Sequence, residues 1–117
     1  MNDLTWQQLQ AAIGVSGAIT LVSGKVVIDP SLITGDTLDS LNDYGVLEFI
    51  YKLLGFGQKA QSQLNQGRTS GNRLNSFGST IFGAVSQAET GEARLTASRN
   101  ITVVVNLDQD NPNGVNN

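Results

Sequence analysis

The chain has 117 residues, no cysteine, no histidine, a net charge of −3 and only 15% charged residues, so it is long enough for one domain that buries about two-thirds of its unfolded surface. Disulfides, thiolate metal sites, histidine-ligated zinc or haem, and Ser–His–Asp or Cys–His catalysis are all excluded, which leaves carboxylates, lysines and oxygen-ligated Ca²⁺ or Mg²⁺. The acidic balance argues against nucleic acid as a partner, and no run reaches the ~18 apolar residues of a membrane span.

Asn2–Ile13 reads as a short amphipathic helix. Asn2 or Asp3 is a possible cap, and Thr5 with Gln8 three residues on fits a capping box. Trp6, Leu9 and Ile13 share one face, and Gly14 marks the stop. Trp6 is expected to dock on the core rather than to anchor a partner. Met1–Gln10 has Asp3 and no Lys or Arg, so it does not read as a secretory leader. A cytoplasmic or particle-associated location is expected.

Ala18–Val22 and Lys25–Ile28 are short β-rich runs joined by Ser23-Gly24. A two-residue link with glycine supplies the positive φ that a tight hairpin needs. Asp29-Pro30 ends the second run, because proline cannot donate to a ladder. Gly24-Lys25 lacks the spacing of a phosphate loop.

Thr34–Asn65 is the helical centre. The apolar positions predict one or two turns over Leu38–Tyr44, a main helix over Val46–Leu54, and resumption over Gln58–Asn65, with Gly45 and Gly55-Phe56-Gly57 as interruptions. Phe49, Ile50, Tyr51, Leu53, Leu54 and Phe56 are too many apolar groups for one narrow stripe. Either the helix is buried on two sides or part of it is an interface.

Gln66–Ser76 is the clearest loop, broken by Gly67, Ser70, Gly71 and Asn72. Phe77–Gln87 and Glu92–Leu107 then predict an antiparallel pair turning at Thr90-Gly91. Within it, Ala93–Leu107 alternates with period two, with Ala93, Leu95, Ala97, Arg99, Ile101, Val103, Val105 and Leu107 on one side. Fifteen extended residues span roughly 50 Å, against a diameter of roughly 35 Å for a compact domain of this size. The segment must therefore bend, break near Arg99, or reach a partner. Arg99 stands on the apolar side, where a lone charge is costly. Either Ser98-Arg99-Asn100 is a break that re-aims the side chain, or Arg99 meets a carboxylate across an interface; the break is preferred. Val104 falls on the nominally wet side and points to a second covered face.

The element order predicts an α+β fold: an antiparallel sheet, made of the N-terminal hairpin and a C-terminal pair of longer strands, packed on a central helix, with a short N-terminal helix. Residues 1–107 form one domain, and 108–117 are a polar tail.

Five acids, Asp29, Asp36, Asp39, Asp43 and Glu48, precede four bases, Lys52, Lys59, Arg68 and Arg73. Helix ends account for this in the first place, acids at the start and bases at the end. The other reading is an acidic patch that meets a basic one on the next copy. Asp36, Asp39 and Asp43 fall at i, i+3, i+7, which on a helix could hold a divalent cation or an acid–base pair, but capping is the simpler role. Asp108-x-Asp110 opens like a calcium loop, yet Pro112 takes the third ligand position and no closing Glu follows. Gly67–Gly71 with Arg68 and Arg73 is a weak anion-loop candidate. Asn100-Ile101-Thr102 is a glycosylation sequon by chance, within a strand.

No cofactor and no metal are implied. The preferred function is a non-enzymatic structural or assembly protein, acting as a homo-oligomer or as a subunit of a larger particle, and a bacterial or phage component would fit. Its partners would be itself or other assembly subunits, without nucleic acid. Candidate interface residues are Arg99, Ile101, Val103, Val104, Val105, Phe49, Tyr51 and Phe56. The alternative is a small-ligand module with an apolar pocket between helix and sheet, lined by Phe49, Tyr51 and Phe56. A carboxylate enzyme built on Asp36, Asp39 or Asp43 ranks third.

Overall fold

The computed structural model describes residues 3–103, 106–107 and 115–116. Helix α1 (Trp6–Ile13) starts at Thr5, whose hydroxyl accepts from the Gln8 N–H at 3.1 Å while the Gln8 side chain accepts from the Thr5 N–H at 2.9 Å. The capping box therefore decides the start, and the helix begins four residues later than the apolar pattern alone predicts. Gly14 ends it in the left-handed conformation, at φ 76°. Leu9 and Ile13 turn inward, but Trp6 is 59% exposed, which corrects the expectation that it docks on the core.

Strands β1 (Ile19–Val22) and β2 (Lys25–Ile28) form the predicted hairpin, with Val22 opposite Lys25. Ser23 and Gly24 both have positive φ, 49° and 77°, as the tight primed turn requires. Gln10 clips this hairpin to α1. Its Oε1 accepts from the Ile19 N–H at 2.6 Å, and its Nε2 donates to the Val15 carbonyl at 2.7 Å.

A helix follows that the sequence reading lacks, α2 (Pro30–Thr34). Asp29 caps it by accepting from the Ser31 N–H at 3.0 Å, and Pro30 occupies the first helical position, where its missing N–H costs nothing. Residues 35–45 are not helical. The turns expected over Leu38–Tyr44 are absent because Asp43 caps the chain locally instead. Its Oδ2 accepts from the N–H groups of Asp39 and Ser40, at 2.7 and 3.1 Å. Competition of this kind between short polar side chains and the helix ladder is general.

Helix α3 (Val46–Asn65) runs unbroken for 20 residues through Gly55-Phe56-Gly57, about 30 Å. Its inner face, with Phe49, Leu53 and Phe56, closes over Ile13, Ala18 and Ile33 to make the core. That core is small. Ala12, Ile13, Ala18, Ile33 and Ala60 are the buried apolar residues among those described.

Beyond a one-turn 3₁₀ segment (Ser70–Asn72), strands β3 (Ile81–Gln87) and β4 (Ala93–Ser98) form the second hairpin. It turns at Gly91, φ 88°, as expected from Thr90-Gly91. The long alternating segment breaks at Arg99-Asn100, and pairing resumes with a bridge between Phe77 and Ile101. Two further strands, β5 (Asn106–Leu107) and β6 (Val115–Asn116), pair antiparallel. The fold is α+β, as predicted, with the strands in separate two-stranded sheets. The radius of gyration, 17.3 Å, exceeds the roughly 13 Å of a compact chain of this length.

Candidate functional site

The joint between α3 and the C-terminal half of the chain is built from side chains that stand in for backbone. On α3, Asn65 receives the Leu74 N–H at 2.8 Å and donates to the Leu74 carbonyl at 2.8 Å. One turn earlier, the buried Gln61 makes the same double contact with Phe77, at 2.8 and 3.0 Å. A carboxamide carries one acceptor and a donor at the spacing of a peptide group, so it satisfies an extended residue as a neighbouring strand does. The segment from Leu74 to Phe77 thus lies antiparallel along the helix.

The helix has no side chain where this segment presses closest. A Cβ at Gly57 would collide with the Phe77 ring, and one at Gly55 with the Arg99 guanidinium. Arg99 donates from Nη1 to the Tyr51 carbonyl at 2.9 Å and from Nε to the Thr80 hydroxyl at 3.2 Å, and its guanidinium lies 4.2 Å from the centre of the Tyr51 ring. The break at Arg99 is therefore real, and among the described residues its charge is met by a main-chain carbonyl and an aromatic face of its own chain. Sequence reasoning missed Gln61, Asn65, Gly55 and Gly57. The signal it had was two glycines two apart inside an otherwise helical stretch, which it read as an interruption.

Past this joint the second hairpin carries an uncovered apolar face. Phe82 lies opposite Ala97 and Val85 opposite Leu95, with a bulge between Phe82 and Val85. Cross-strand partners share a face, and the extra residue of the bulge resets the alternation. Phe82, Val85, Leu95 and Ala97 therefore lie on one side although Phe82 and Val85 are three residues apart. Phe82, Val85 and Leu95 are 64%, 71% and 53% exposed. Leu95 was expected on a dry face, and among the described residues no core lies beneath it. The face continues into a groove in which Ala97 and Arg99 stand across from Leu47, Ile50, Tyr51 and Leu54 of α3. Leu47 is 84% exposed and Ile50 47%.

The other sequence candidates are dispersed. Ile101 and Val103 are exposed and line a small cleft with Leu4, Leu74 and Phe77, while Val104 and Val105, like the carboxylates of Asp108 and Asp110, lie outside the described residues. Phe49 lines a cleft of about 220 Å³ between α2, residues 36–45 and the start of α3. Tyr51 faces the β4 groove and Phe56 a third one near Ile33 and Lys59, so the three aromatic residues do not converge on one pocket. Asp36, Asp39 and Asp43 share no helical face, since residues 35–45 are irregular. In the Gly67–Gly71 loop, Arg68 donates to the Asn72 carbonyl at 3.3 Å and so closes the loop on itself, while Arg73 is exposed.

Among the described residues, no group of three or more Asp, Glu, His or Cys could hold a metal ion, and no helix is long and apolar enough to cross a membrane. Glu48 and Lys52 pair at 2.8 Å one turn apart on α3. The hydrogen bond from Lys52, and then its charge, hold the Glu48 carboxyl below its ordinary range. Lys52 also donates to the Thr34 carbonyl at 3.3 Å, at the end of α2. Compared with known proteins, the chain matches no protein-family model, no curated protein and no solved structure.

Proposed function

We propose that this is a non-enzymatic assembly protein that works through protein–protein contacts, as a homo-oligomer or as a subunit of a larger particle. The observation that carries this reading is the apolar face of Phe82, Val85 and Leu95 on a two-stranded hairpin, open to water and joined through Ala97 to the groove that Leu47 and Ile50 of α3 line. An isolated two-stranded hairpin is marginal in water, and contiguous apolar surface of this kind marks an interaction site. The low charge of the chain, 15% Asp, Glu, Lys and Arg against a typical ~25%, leaves little repulsion between copies.

The small-ligand reading has less behind it, because Phe49, Tyr51 and Phe56 line three separate clefts and so do not enclose the one apolar pocket between helix and sheet that it needs. Light scattering coupled to size exclusion at micromolar concentration tests the assembly reading. The wild-type chain should run above the mass of one copy, and Phe82→Ser with Val85→Ser should return it to one copy with an unchanged far-ultraviolet spectrum. A wild-type chain that stays a clean monomer would overturn the proposal.

A further inference from the structure

We infer that the exposed surface is covered by a second copy of the same chain, related by a two-fold axis, with the β3–β4 face of each copy seated on the Leu47–Ile50 side of α3 in the other. This rests on the assembly reading above and names its partner and geometry.

Continuity comes first. Ala97 belongs to the hairpin face, being opposite Phe82, and it also lines the groove beside α3. Hairpin and helix halves therefore adjoin at Ala97 as one surface with a seam. In an isologous contact, residue i meets residue j of the partner and j meets i. A two-fold axis lying along that seam sets each half of the surface on the other half of its partner, so both halves are covered at once.

Area comes next. Phe82, Val85, Leu95, Leu47 and Ile50 each offer roughly 100 Å² of apolar surface, roughly 500 Å² per copy. A standard interface takes ~800 Å² from each partner, of which ~56–65% is non-polar, or about 450–520 Å². The crossed arrangement therefore supplies what a stable dimer needs. Hairpin stacked on hairpin would bury three of these side chains and leave Leu47 and Ile50 in water. Helix stacked on helix would bury Leu47 and Ile50 and leave Phe82, Val85 and Leu95 in water.

The absence of cysteine makes the geometry directly testable by disulfide capture. Leu47→Cys and Val85→Cys are made as separate variants, each at an exposed position where cysteine is a mild change. After mixing and mild oxidation, the pair should give a linked dimer on a non-reducing gel, while either variant alone gives little. Ile50→Cys with Leu95→Cys serves as a second pair should one variant fold poorly. A Val85→Cys variant that links to itself as readily as the mixture would overturn the crossed arrangement in favour of stacked hairpins. So would an oligomer, lost in Phe82→Ser/Val85→Ser, in which neither pair links; that result leaves the assembly reading standing. A monomeric wild-type chain, or one that is covered only by a protein of different sequence, overturns the inference as well.

Discussion

Arg99 joins segments 48 positions apart by donating to the Tyr51 carbonyl, and it does so with its charge laid on the Tyr51 ring. Arg99→Ala should cost about 1.5–3 kcal/mol in chemical denaturation, the usual loss for a hydrogen bond made by a charged group. Arg99→Lys should recover little of it, since an ammonium cannot present two donors in a planar fork. Gly55 gives a sharper test of the same contact. Alanine for glycine inside a helix ordinarily stabilises by about 0.5–1 kcal/mol, but here the new Cβ would meet the Arg99 guanidinium. Gly55→Ala should therefore destabilise the wild type and stabilise the Arg99→Ala variant. The same sign in both backgrounds would show that the contact carries no energy. Glu48 is a milder case. Lys52 lowers its affinity for a proton in the folded state, so its contribution is full above the ordinary 4.5 and fades as pH falls through the lower folded value. The melting-temperature gap between wild type and Glu48→Gln should narrow as the pH falls below 4.5; a gap that widens would contradict the pairing.

Helix α3 serves as the spine of the molecule because one face supplies apolar core and another supplies surrogate backbone. Gln61 and Asn65 satisfy both polar groups of Phe77 and Leu74. Replacing Gln61 with leucine leaves a peptide N–H and C=O unpaired against a buried position, at about 1–3 kcal/mol for each group. Amide hydrogen exchange at Phe77 should accelerate in Gln61→Leu, and in Gln61→Glu, which keeps the acceptor but cannot donate when ionised, the loss should be smaller. Equal protection of Phe77 in wild type and Gln61→Leu would mean that the segment is held by something else. The same use of carboxamides recurs at Gln10. It gives a physical reason for a chain whose polarity rests on neutral amides, because each holds a stretch of main chain without bringing in a charge.

Among the described residues the core is small, and the β3–β4 hairpin carries exposed apolar side chains. If copies cover one another, the melting temperature should rise with protein concentration over roughly a hundredfold range, as mass action requires for a folded oligomer in equilibrium with unfolded chains. A melting temperature independent of concentration would place all of the stabilisation within one copy.

What could be read from the order of residues was whatever a few neighbouring residues settle among themselves. The Ser23-Gly24 hairpin, the capping box of Thr5 and Gln8, the Thr90-Gly91 turn and the α+β class all depend on φ preferences and hydrogen bonds spanning a handful of positions. The break at Arg99 was legible too, since a charge in an apolar row must be re-aimed or paired. What answered that charge was not, because the Tyr51 carbonyl belongs to every sequence alike. For the same reason Gly55 and Gly57 read as a helix interruption. Their local propensity costs about 1 kcal/mol each, and only the arrival of Arg99 and Phe77 from far along the chain makes the missing side chains an advantage. Trp6 and Leu95 were placed inside by periodicity, which orders residues by face but cannot say whether anything lies against that face. Tertiary packing decided it, and left Phe82, Val85, Leu95 and Leu47 exposed.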